Sequence, residues 1–194
     1  SLKSLERIRI IKGFYVTEIL VRENQVRGVK GISGKGEDIS IQSPAVVLAA
    51  GGAGAIYLRN DNQKKILGQG YYLAAKAGLR LWDMEFVQFY PLVIAEPDLP
   101  QMLVYPPYPV EAKLVNASGE DLIRKYNLGD INRAIRKKRD EISAWLFEES
   151  QAGPVCMDLR DVPDHSWEAH PLSLLKKIKF DFRLKRIAVA PAAH

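Results

Sequence analysis

The chain has 194 residues, of which 47% are hydrophobic, which suits one large or two small soluble globular domains and excludes a disordered segment. Its longest weakly polar run, residues 44–58, is shorter than the roughly 20 apolar residues that cross a bilayer, so no membrane span is predicted. The single Cys156 excludes an internal disulfide and makes a cytoplasmic location the default expectation, while the formal charge of +5 fits an anionic ligand, a nucleic acid or plain surface solubility.

Short β-prone runs separated by turn residues fill the first forty positions. They are Arg7–Lys12, Phe14–Val21, Val26–Ile32 and Ile39–Ile41, and their spacing predicts an antiparallel meander. The next run, Ala45–Ala50, is apolar on both faces, which is typical of a buried central strand in a parallel sheet.

Clustered glycines follow that run. Gly51, Gly52 and Gly54 would let the backbone press against a dinucleotide cofactor, although glycine turns after strands also occur for plain packing reasons. Apolar periodicity then predicts a helix over residues 63–78, ended by Gly78. Residues 79–94 return to strand character, with Pro91 marking a change of direction.

The second half of the chain differs in composition. Five prolines between residues 96 and 109 make a regular element improbable there, and we place a domain boundary near Leu92. The remaining predicted elements are a helix over 127–150, a strand over 155–159, a helix over 172–179 and a strand over 186–191.

Arg139 is the best candidate for catalysis from helix geometry alone. It lies four residues after Ile135 and three before Ile142, on the apolar face of the predicted helix, whereas Arg133, Arg136 and Lys137 turn toward solvent. A buried guanidinium needs an anion or dipoles to compensate it, so an inward-facing arginine marks a candidate site. A structural salt bridge with Asp140, Glu141 or a residue of the other domain is the alternative interpretation.

Two motifs resemble one known family. Asp83-Met-Glu-Phe-Val-Gln-Phe89 and Pro191-Ala-Ala-His194 are similar to segments of the fumarate reductase, succinate dehydrogenase and L-aspartate oxidase flavoproteins. The resemblance implies an α/β plus α+β fold: a partial FAD-binding domain with an antiparallel β-meander at residues 1–92, a capping domain at 93–188, and a return to the first domain at 189–194. It also implies a fragment, because no G-x-G-x-x-G fingerprint occurs here.

The resemblance further implies roles for single residues. FAD would lie against Ala50, Gly51, Gly52 and Gly54, and Gln69 replaces the acid of the family's T-G-D-G turn. Arg139 and Asp140 resemble the family's arginine-aspartate pair, in which the arginine protonates the substrate while flavin supplies hydride. His194 would hold a substrate carboxylate. The implied partners are a small carboxylate substrate and an iron–sulfur or other electron-transfer subunit.

Two departures set this chain apart from the family pattern. Tyr90 stands where the family commonly has a substrate-binding histidine, and residues 102–109 replace a threonine-glutamate pair and an R-G-E-G-like segment. A phenol in the substrate site would donate one neutral hydrogen bond only. Two alternatives therefore remain open: a relative that acts on a different acceptor, and a non-catalytic subunit that serves assembly or binding.

Other constellations carry less weight. Cys156, His165 and His170 fit no common metal-ligand spacing, so no metal site is predicted. The basic run over residues 176–186, with two phenylalanines in it, could contact nucleic acid, but a solvated face with two buried phenylalanines is the preferred interpretation, and no nucleic-acid partner is predicted.

Overall fold

The computed structural model describes residues 8–194, which form two compact units. The first unit holds the chain up to Ala53 together with Ile66–Met84, and the second holds Gly54–Lys65 together with Glu85–His194. Each unit contains an antiparallel sheet and at least one helix, so the fold is mixed α/β. The expected boundary residue, Leu92, lies inside a strand of the second unit. The division into an FAD-binding and a capping domain stays a prediction.

The predicted meander forms the sheet of the first unit. Strands β1 (Phe14–Arg22), β2 (Gln25–Ser33) and β3 (Asp38–Gln42) pair antiparallel in that order. Glu23 and Asn24 both have positive φ, 54° and 57°, and so form the tight two-residue turn that matches the twist of a hairpin. The additional strand expected over residues 7–12 is wrong for residues 8–12, which are not in a strand, and Arg7 lies outside the described residues.

The helix of the first unit is shorter than predicted. Helix α1 (Gln69–Lys76) begins only at Gln69, because Gly68 has a φ of +86° that no continuing helix can accept. Gly78 follows its last turn as expected, and the amide of Leu79 bonds back to the carbonyl of Ala74 at 3.1 Å.

The run Ala45–Ala50 is not the buried central strand that its composition predicted. None of these residues is in a strand, and the side chain of Val47 is 92% exposed. The physical reason is that a parallel strand needs backbone groups of neighbouring strands on both sides. No strand within residues 8–194 pairs with this run.

A four-stranded antiparallel sheet organises the second unit. Its strands in chain order are β4 (Phe89–Ile94), β5 (Lys113–Val115), β6 (Cys156–Asp158) and β7 (Ile187–Ala193). Their order in space is β4-β7-β6-β5, so the last strand of the chain lies between the first and the third. The strands predicted near residues 155–159 and 186–191 are confirmed.

The strand predicted over residues 79–94 is mostly wrong, since only its last six residues form β4. Pro91 does not reverse the chain. It lies inside β4 at an irregularity between Tyr90 and Val93, where the pairing with β7 shifts register. A proline has no amide proton to give to a sheet, and such an irregularity accommodates it without a lost hydrogen bond. The segment after β4 has no helix or strand until β5, as its prolines predicted.

The predicted helix over residues 127–150 is two helices. Helix α3 (Ile131–Lys137) is capped by the Asp130 carboxylate, which accepts bonds from two backbone amides. Lys138 has φ −133° and ψ 39°, which are not helical values, so it separates the two helices. Helix α4 (Arg139–Glu149) begins at the next residue. The predicted apolar face survives the interruption, since all four of its residues are buried: Ile131, Ile135, Ile142 and Leu146. Two helices of four residues complete the unit, α2 (Leu122–Lys125) and α5 (Leu172–Leu175), the latter shorter than predicted.

A polar cluster around Glu149 fastens the end of α4. The Glu149 carboxylate accepts hydrogen bonds from Tyr126 at 2.7 Å and Asn116 at 2.9 Å, and Lys125 lies 2.8 Å away. The hydrogen bond from Lys125, followed by that from Asn116, lowers the pKa of this carboxyl to about 2 from an ordinary value of 4.5. The cluster therefore ties α2 and the turn after β5 to α4.

We expect Glu149→Ala to lower the free energy of unfolding at pH 7 by about 1–2 kcal/mol, the usual value for breaking a partly exposed charged cluster. Because folding lowers the pKa of Glu149, its contribution is complete above pH 4.5 and disappears as the pH falls toward 2. Urea denaturation at pH 7 and at pH 3 measures the loss of unfolding free energy at each pH. Glu148→Ala, at the exposed neighbour, is the control. Equal losses for the two variants would contradict the prediction.

Candidate active site

Two buried phenols, Tyr90 and Tyr108, form the tyrosine pair at the centre of the candidate site. Tyr90 lies in β4 and is 4% exposed, and Tyr108 lies in the proline-rich segment and is 3% exposed. The Tyr108 hydroxyl donates its only proton to the carbonyl oxygen of Val104 at 2.5 Å. The Tyr90 hydroxyl lies 2.9 Å from that of Tyr108 and 3.4 Å from the same carbonyl oxygen, and it can donate to either of these oxygens.

Burial keeps both phenols neutral. Desolvation raises the pKa of Tyr90 above its ordinary value of 10.0, against smaller opposing effects of the hydrogen bond with Tyr108 and the charge of Arg139. Desolvation also raises the pKa of Tyr108, and the proximity of Tyr90 raises it further. The tyrosine pair thus contributes no negative charge at physiological pH.

Arg139 lies over the ring of Tyr90. It is the first residue of α4 and is half-buried, with its guanidinium carbon 5.4 Å from the ring centroid. The Ser143 hydroxyl holds this end of the helix, 2.8 Å from the carbonyl oxygen of Arg139 and 3.5 Å from that of Phe89. Arg139 is thus on the inner side of the helix, as its spacing predicted.

The surroundings of Arg139 contain little opposing charge. Among residues 8–194 no carboxylate forms an ion pair with it, so the alternative of a structural salt bridge with Asp140 or Glu141 is not what the described part of the chain shows. Arg136 and Lys137 are exposed, as expected.

His194 approaches Tyr90 from another side. Its ring centroid is 6.2 Å from that of Tyr90, and its backbone amide donates to the carbonyl of Gln88 at 3.0 Å. Its Nδ1 lies 2.8 Å from Oδ2 of Asp61. The structure therefore brings together three residues that sequence reasoning selected far apart in the chain, Arg139, Tyr90 and His194.

The predicted glycine turn belongs to the first unit. Gly51 has a φ of +75°, which favours glycine, and the carbonyl of Gly52 accepts the amide proton of Gly68 at 3.1 Å. A Cβ at Gly70 would lie 3.3 Å from that of Ala50, so the turn packs closely on the first turn of α1. Ala50 and Gly51 are nevertheless exposed at their other side.

Gln69 and Gly54 have local partners of their own. Oε1 of Gln69 accepts the amide proton of Leu67 at 3.1 Å, which holds its side chain across the start of α1. Gly54 belongs to the second unit, where a Cβ would come within 2.1 Å of Nδ2 of Asn62. The space that this glycine leaves is taken by protein, which favours packing over cofactor contact at that position.

The segment Met102–Pro109, which departs from the family pattern, supports the tyrosine pair. The amide of Ile94 donates to the carbonyl of Met102 and the amide of Val104 donates to that of Leu92, each at 2.9 Å. The segment thus runs beside β4 and places both Val104 and Tyr108 next to the hydroxyl of Tyr90.

An open, mostly apolar cavity of about 590 Å³ lies on the side of β4 that carries Phe89. It is bordered by Phe89, by Asp140, Ser143 and Phe147 of α4, and by Tyr57. Cavities of this size and character commonly accept small organic molecules.

Cys156 and the basic run over residues 176–186 are not part of the cluster formed by Tyr90, Arg139 and His194. Cys156 is half-buried in β6, and burial raises the pKa of its thiol. In the basic run, Lys176, Arg183 and Arg186 pair with Glu168, Asp164 and Asp158 respectively. Phe182 in the same run is buried and Phe180 packs against the core, in agreement with the preferred interpretation of a solvated face over two phenylalanines.

Comparison with known proteins agrees with the motifs. No family model matches the chain. One of its relatives belongs to the fumarate reductase (CoM/CoB) of Methanothermobacter marburgensis and is 30% identical over 199 residues, covering 96% of this chain and 36% of that protein. L-Aspartate oxidase of Bacillus subtilis is 29% identical over 192 residues, covering 97% of this chain and 35% of that protein. The chain is a homologue of these oxidoreductases.

A solved structure shows the same relationship. The Mycobacterium smegmatis protein Sdh1, solved in complex with UQ1, superimposes with a TM-score of 0.73 at 25% identity, covering 93% of this chain and 32% of Sdh1. The resemblance predicted from the motifs is confirmed. The chain spans about a third of the length of its homologous oxidoreductases. No helix within residues 8–194 is long and apolar enough to cross a membrane.

Two residues of the cluster escaped sequence reasoning. Tyr108 carries no motif, and its one signal is its place in the proline-rich segment. Asp61 is 133 positions from His194, and no local pattern links them. Only the Asn-Asp-Asn sequence at residues 60–62 indicated a turn at that point.

We expect Tyr108→Phe to destabilise the chain by about 1–3 kcal/mol, because it leaves the Val104 carbonyl without its donor and Tyr90 without its acceptor. Tyr90→Phe should cost less, since Tyr108 keeps its bond to Val104. Urea unfolding of both single variants and the double variant measures the two costs and their coupling. Tyr72→Phe, at an exposed tyrosine, is the control. A larger loss for Tyr90→Phe than for Tyr108→Phe would contradict the role of Tyr108 as the closer donor to the Val104 carbonyl.

Proposed function

We propose that this chain is part of an FAD-dependent oxidoreductase that moves hydride between its flavin and a small carboxylate-bearing substrate. The observation that carries the proposal is the convergence of Arg139 and His194 on the ring of Tyr90 in a homologue of fumarate reductase and L-aspartate oxidase.

Arg139 is the proposed contact for substrate. Its guanidinium has no carboxylate partner among the described residues, and it lies at the positive end of the α4 helix dipole. A cation in this position gains most from an incoming anion, and a guanidinium can bind a carboxylate through two parallel hydrogen bonds. The neutral tyrosine pair beneath it offers no competing charge.

Arg139 can also deliver a proton to the carbon that takes up hydride. Because arginine holds its proton tightly, this role requires a pocket from which water is excluded. The buried ring of Tyr90, whose centroid lies 5.4 Å from the guanidinium carbon, supports such exclusion. His194, a neighbour of the same ring, would bind a substrate carboxylate through its Nε2.

The residues of the glycine turn fit a bound dinucleotide. Ala50 and Gly51 are exposed, and the carbonyl of Gly52 accepts the amide proton of Gly68 just before α1. Backbone without side chains, next to the amide-rich end of a helix, suits the close approach of a pyrophosphate. Gln69, at the first position of α1, would contribute an amide in place of a carboxylate. When bound, FAD would supply the hydride donor or acceptor.

The proposal includes a second protein for electron exchange, an iron–sulfur or other electron-transfer subunit. Its support is the nature of the homologues: the fumarate reductase relative is named as one subunit of its enzyme, and Sdh1 was solved with the ligand UQ1.

The test uses the full-length protein that contains this chain. Reduced anaerobically, it should be reoxidised by fumarate, as followed by the visible absorbance of the flavin. Arg139→Ala should slow reoxidation by at least about 100-fold, since it removes a charged contact to the reacting substrate. Arg136→Ala changes an exposed arginine one turn earlier and should react like the wild type. Equal rates for both variants would refute the role of Arg139, and a protein without flavin would refute the proposal as a whole.

The hydrogen bonding of the Tyr90 hydroxyl favours a second candidate, an acceptor other than fumarate. Two buried oxygens, those of Tyr108 at 2.9 Å and Val104 at 3.4 Å, can accept its proton and so compete with a second substrate carboxylate. The same reduced protein should then be reoxidised by a singly charged unsaturated acid such as crotonate and not by fumarate. Faster reaction with fumarate than with crotonate would exclude this candidate.

A further inference from the structure

The carboxylate of Asp61 lies against the ring of His194. Oδ2 is 2.8 Å from Nδ1, and the Asp61 side chain is 14% exposed whereas that of His194 is 42% exposed. The carboxylate is thus the more enclosed partner of the two. In an imidazole the hydrogen bond made by one nitrogen decides which nitrogen carries the proton.

Backbone hydrogen bonds hold Asp61 in this place. The loop Arg59–Asn62 runs parallel to the end of β7: the amide of Ala193 donates to the carbonyl of Arg59 at 3.0 Å, and the amide of Asp61 donates to the carbonyl of Ala193 at 3.2 Å. The amide of His194 is held by Gln88. Both members of the pair are therefore fixed through their main chains.

Side-chain hydrogen bonds also restrain this loop. Gln101 donates to the carbonyl of Leu58 at 3.3 Å and accepts the amide proton of Asn60 at 2.9 Å. Asn62 donates to the carbonyl of Ala193 at 3.1 Å from the space that Gly54 leaves open. Hydrogen bonds at five consecutive residues, 58–62, therefore hold Asp61 in one position.

We propose that Asp61 is a positioning residue that accepts a hydrogen bond from Nδ1–H of His194 and so leaves Nε2 for the substrate, to whose carboxylate this nitrogen donates when the ring is doubly protonated. This rests on the proposed function, in which His194 binds the substrate carboxylate. A carboxylate behind an imidazole fixes the ring and its tautomer, and it also stabilises the doubly protonated ring that donates from Nε2 to an anion.

A merely structural ion pair would act differently. It would contribute to the stability of the loop and leave the position of the imidazole proton unimportant. Within residues 8–194 the charged and titratable side chains at the rings of Tyr90 and His194 include Asp61, Arg139, Tyr105 and Tyr108, and among the described residues Asp61 is the side chain that contacts a ring nitrogen of His194. The tautomer of His194 is therefore expected to respond to Asp61.

The first experiment is long-range proton–nitrogen NMR on the chain labelled with 15N-histidine, at a pH where the imidazoles are neutral. We expect His194 to be protonated on Nδ1, whereas in Asp61→Ala it should shift at least about fivefold toward the Nε2–H form that free imidazoles prefer. Asp61→Asn keeps an acceptor oxygen and should fall between the two. His194→Gln assigns the signal, and His165 and His170 are internal references.

The NMR result decides the proposal whether or not the enzyme turns over. A chain with two glycines added after His194 controls for the terminal carboxylate. An Nε2–H form in the wild type, or no change in Asp61→Ala while the melting temperature stays unchanged, would overturn it. If either variant unfolds, Gln101→Ala, which loosens only the grip on the loop, should give a mixture of tautomers, and an unmixed Nδ1–H form would overturn the proposal.

Kinetics of the full-length protein give the second readout. Asp61→Ala should raise KM for the carboxylate acceptor about tenfold with a change in kcat below about threefold, since it weakens a binding contact, and Asp61→Asn should restore part of the loss. A changed kcat with unchanged KM would contradict positioning for binding. A protein that shows the expected tautomers but reduces no carboxylate would refute the proposed function and leave the role of Asp61 intact.

Discussion

The hydrogen bonds at the end of β7 set the geometry on which the candidate site depends. This strand lies between β4 and β6, and at Ala193 it is bonded to β4 on one side and to the 59–62 loop on the other. Ala192 and Ala193 are completely buried, and their small side chains let these neighbours come close. Tyr90 and Asp61 are both neighbours of His194 for this reason. The site is therefore placed by main-chain bonding, which substitutions of single side chains disturb least.

The break at Lys138 decides what Arg139 can do. In one continuous helix Arg139 would be an interior residue with its charge distributed along a side face. With the break, it becomes the first residue of α4, where the amide protons of the first turn have no partner within α4 and the dipole is positive. The chain places a cation where a helix favours an anion, which is unfavourable until an anion binds. Asp140 and Glu141 in the same turn compensate the dipole in part, but neither pairs with the guanidinium.

The sequence predicted those features that local pattern determines. Turn residues marked the meander, and 3.6-residue spacing identified both the buried face of α3 and α4 and the inward side of Arg139. Sequence patterns did not predict the features that depend on residues far away in the chain. The apolar run Ala45–Ala50 has strand composition but no paired neighbour among the described residues, and a single backbone conformation at Lys138 divided a pattern that is continuous in sequence. Asp61 could not be found by pattern because its partner lies 133 positions away. Motif resemblance led to His194 and Tyr90, yet the direction of the Tyr90 hydroxyl depends on Tyr108, outside any motif.

The tyrosine at position 90 and the arginine at position 139 depend on each other. A histidine at position 90 could carry a positive charge, and a guanidinium carbon placed 5.4 Å from such a ring would be repelled in a partly buried site. The face of a phenol ring attracts the same cation. The phenol also needs a buried acceptor, which the proline-rich segment supplies through Tyr108. Tyr90 and the segment 102–109 are thus structurally linked, and together they leave Arg139 as the charged group of the cluster that has no carboxylate partner within the described residues.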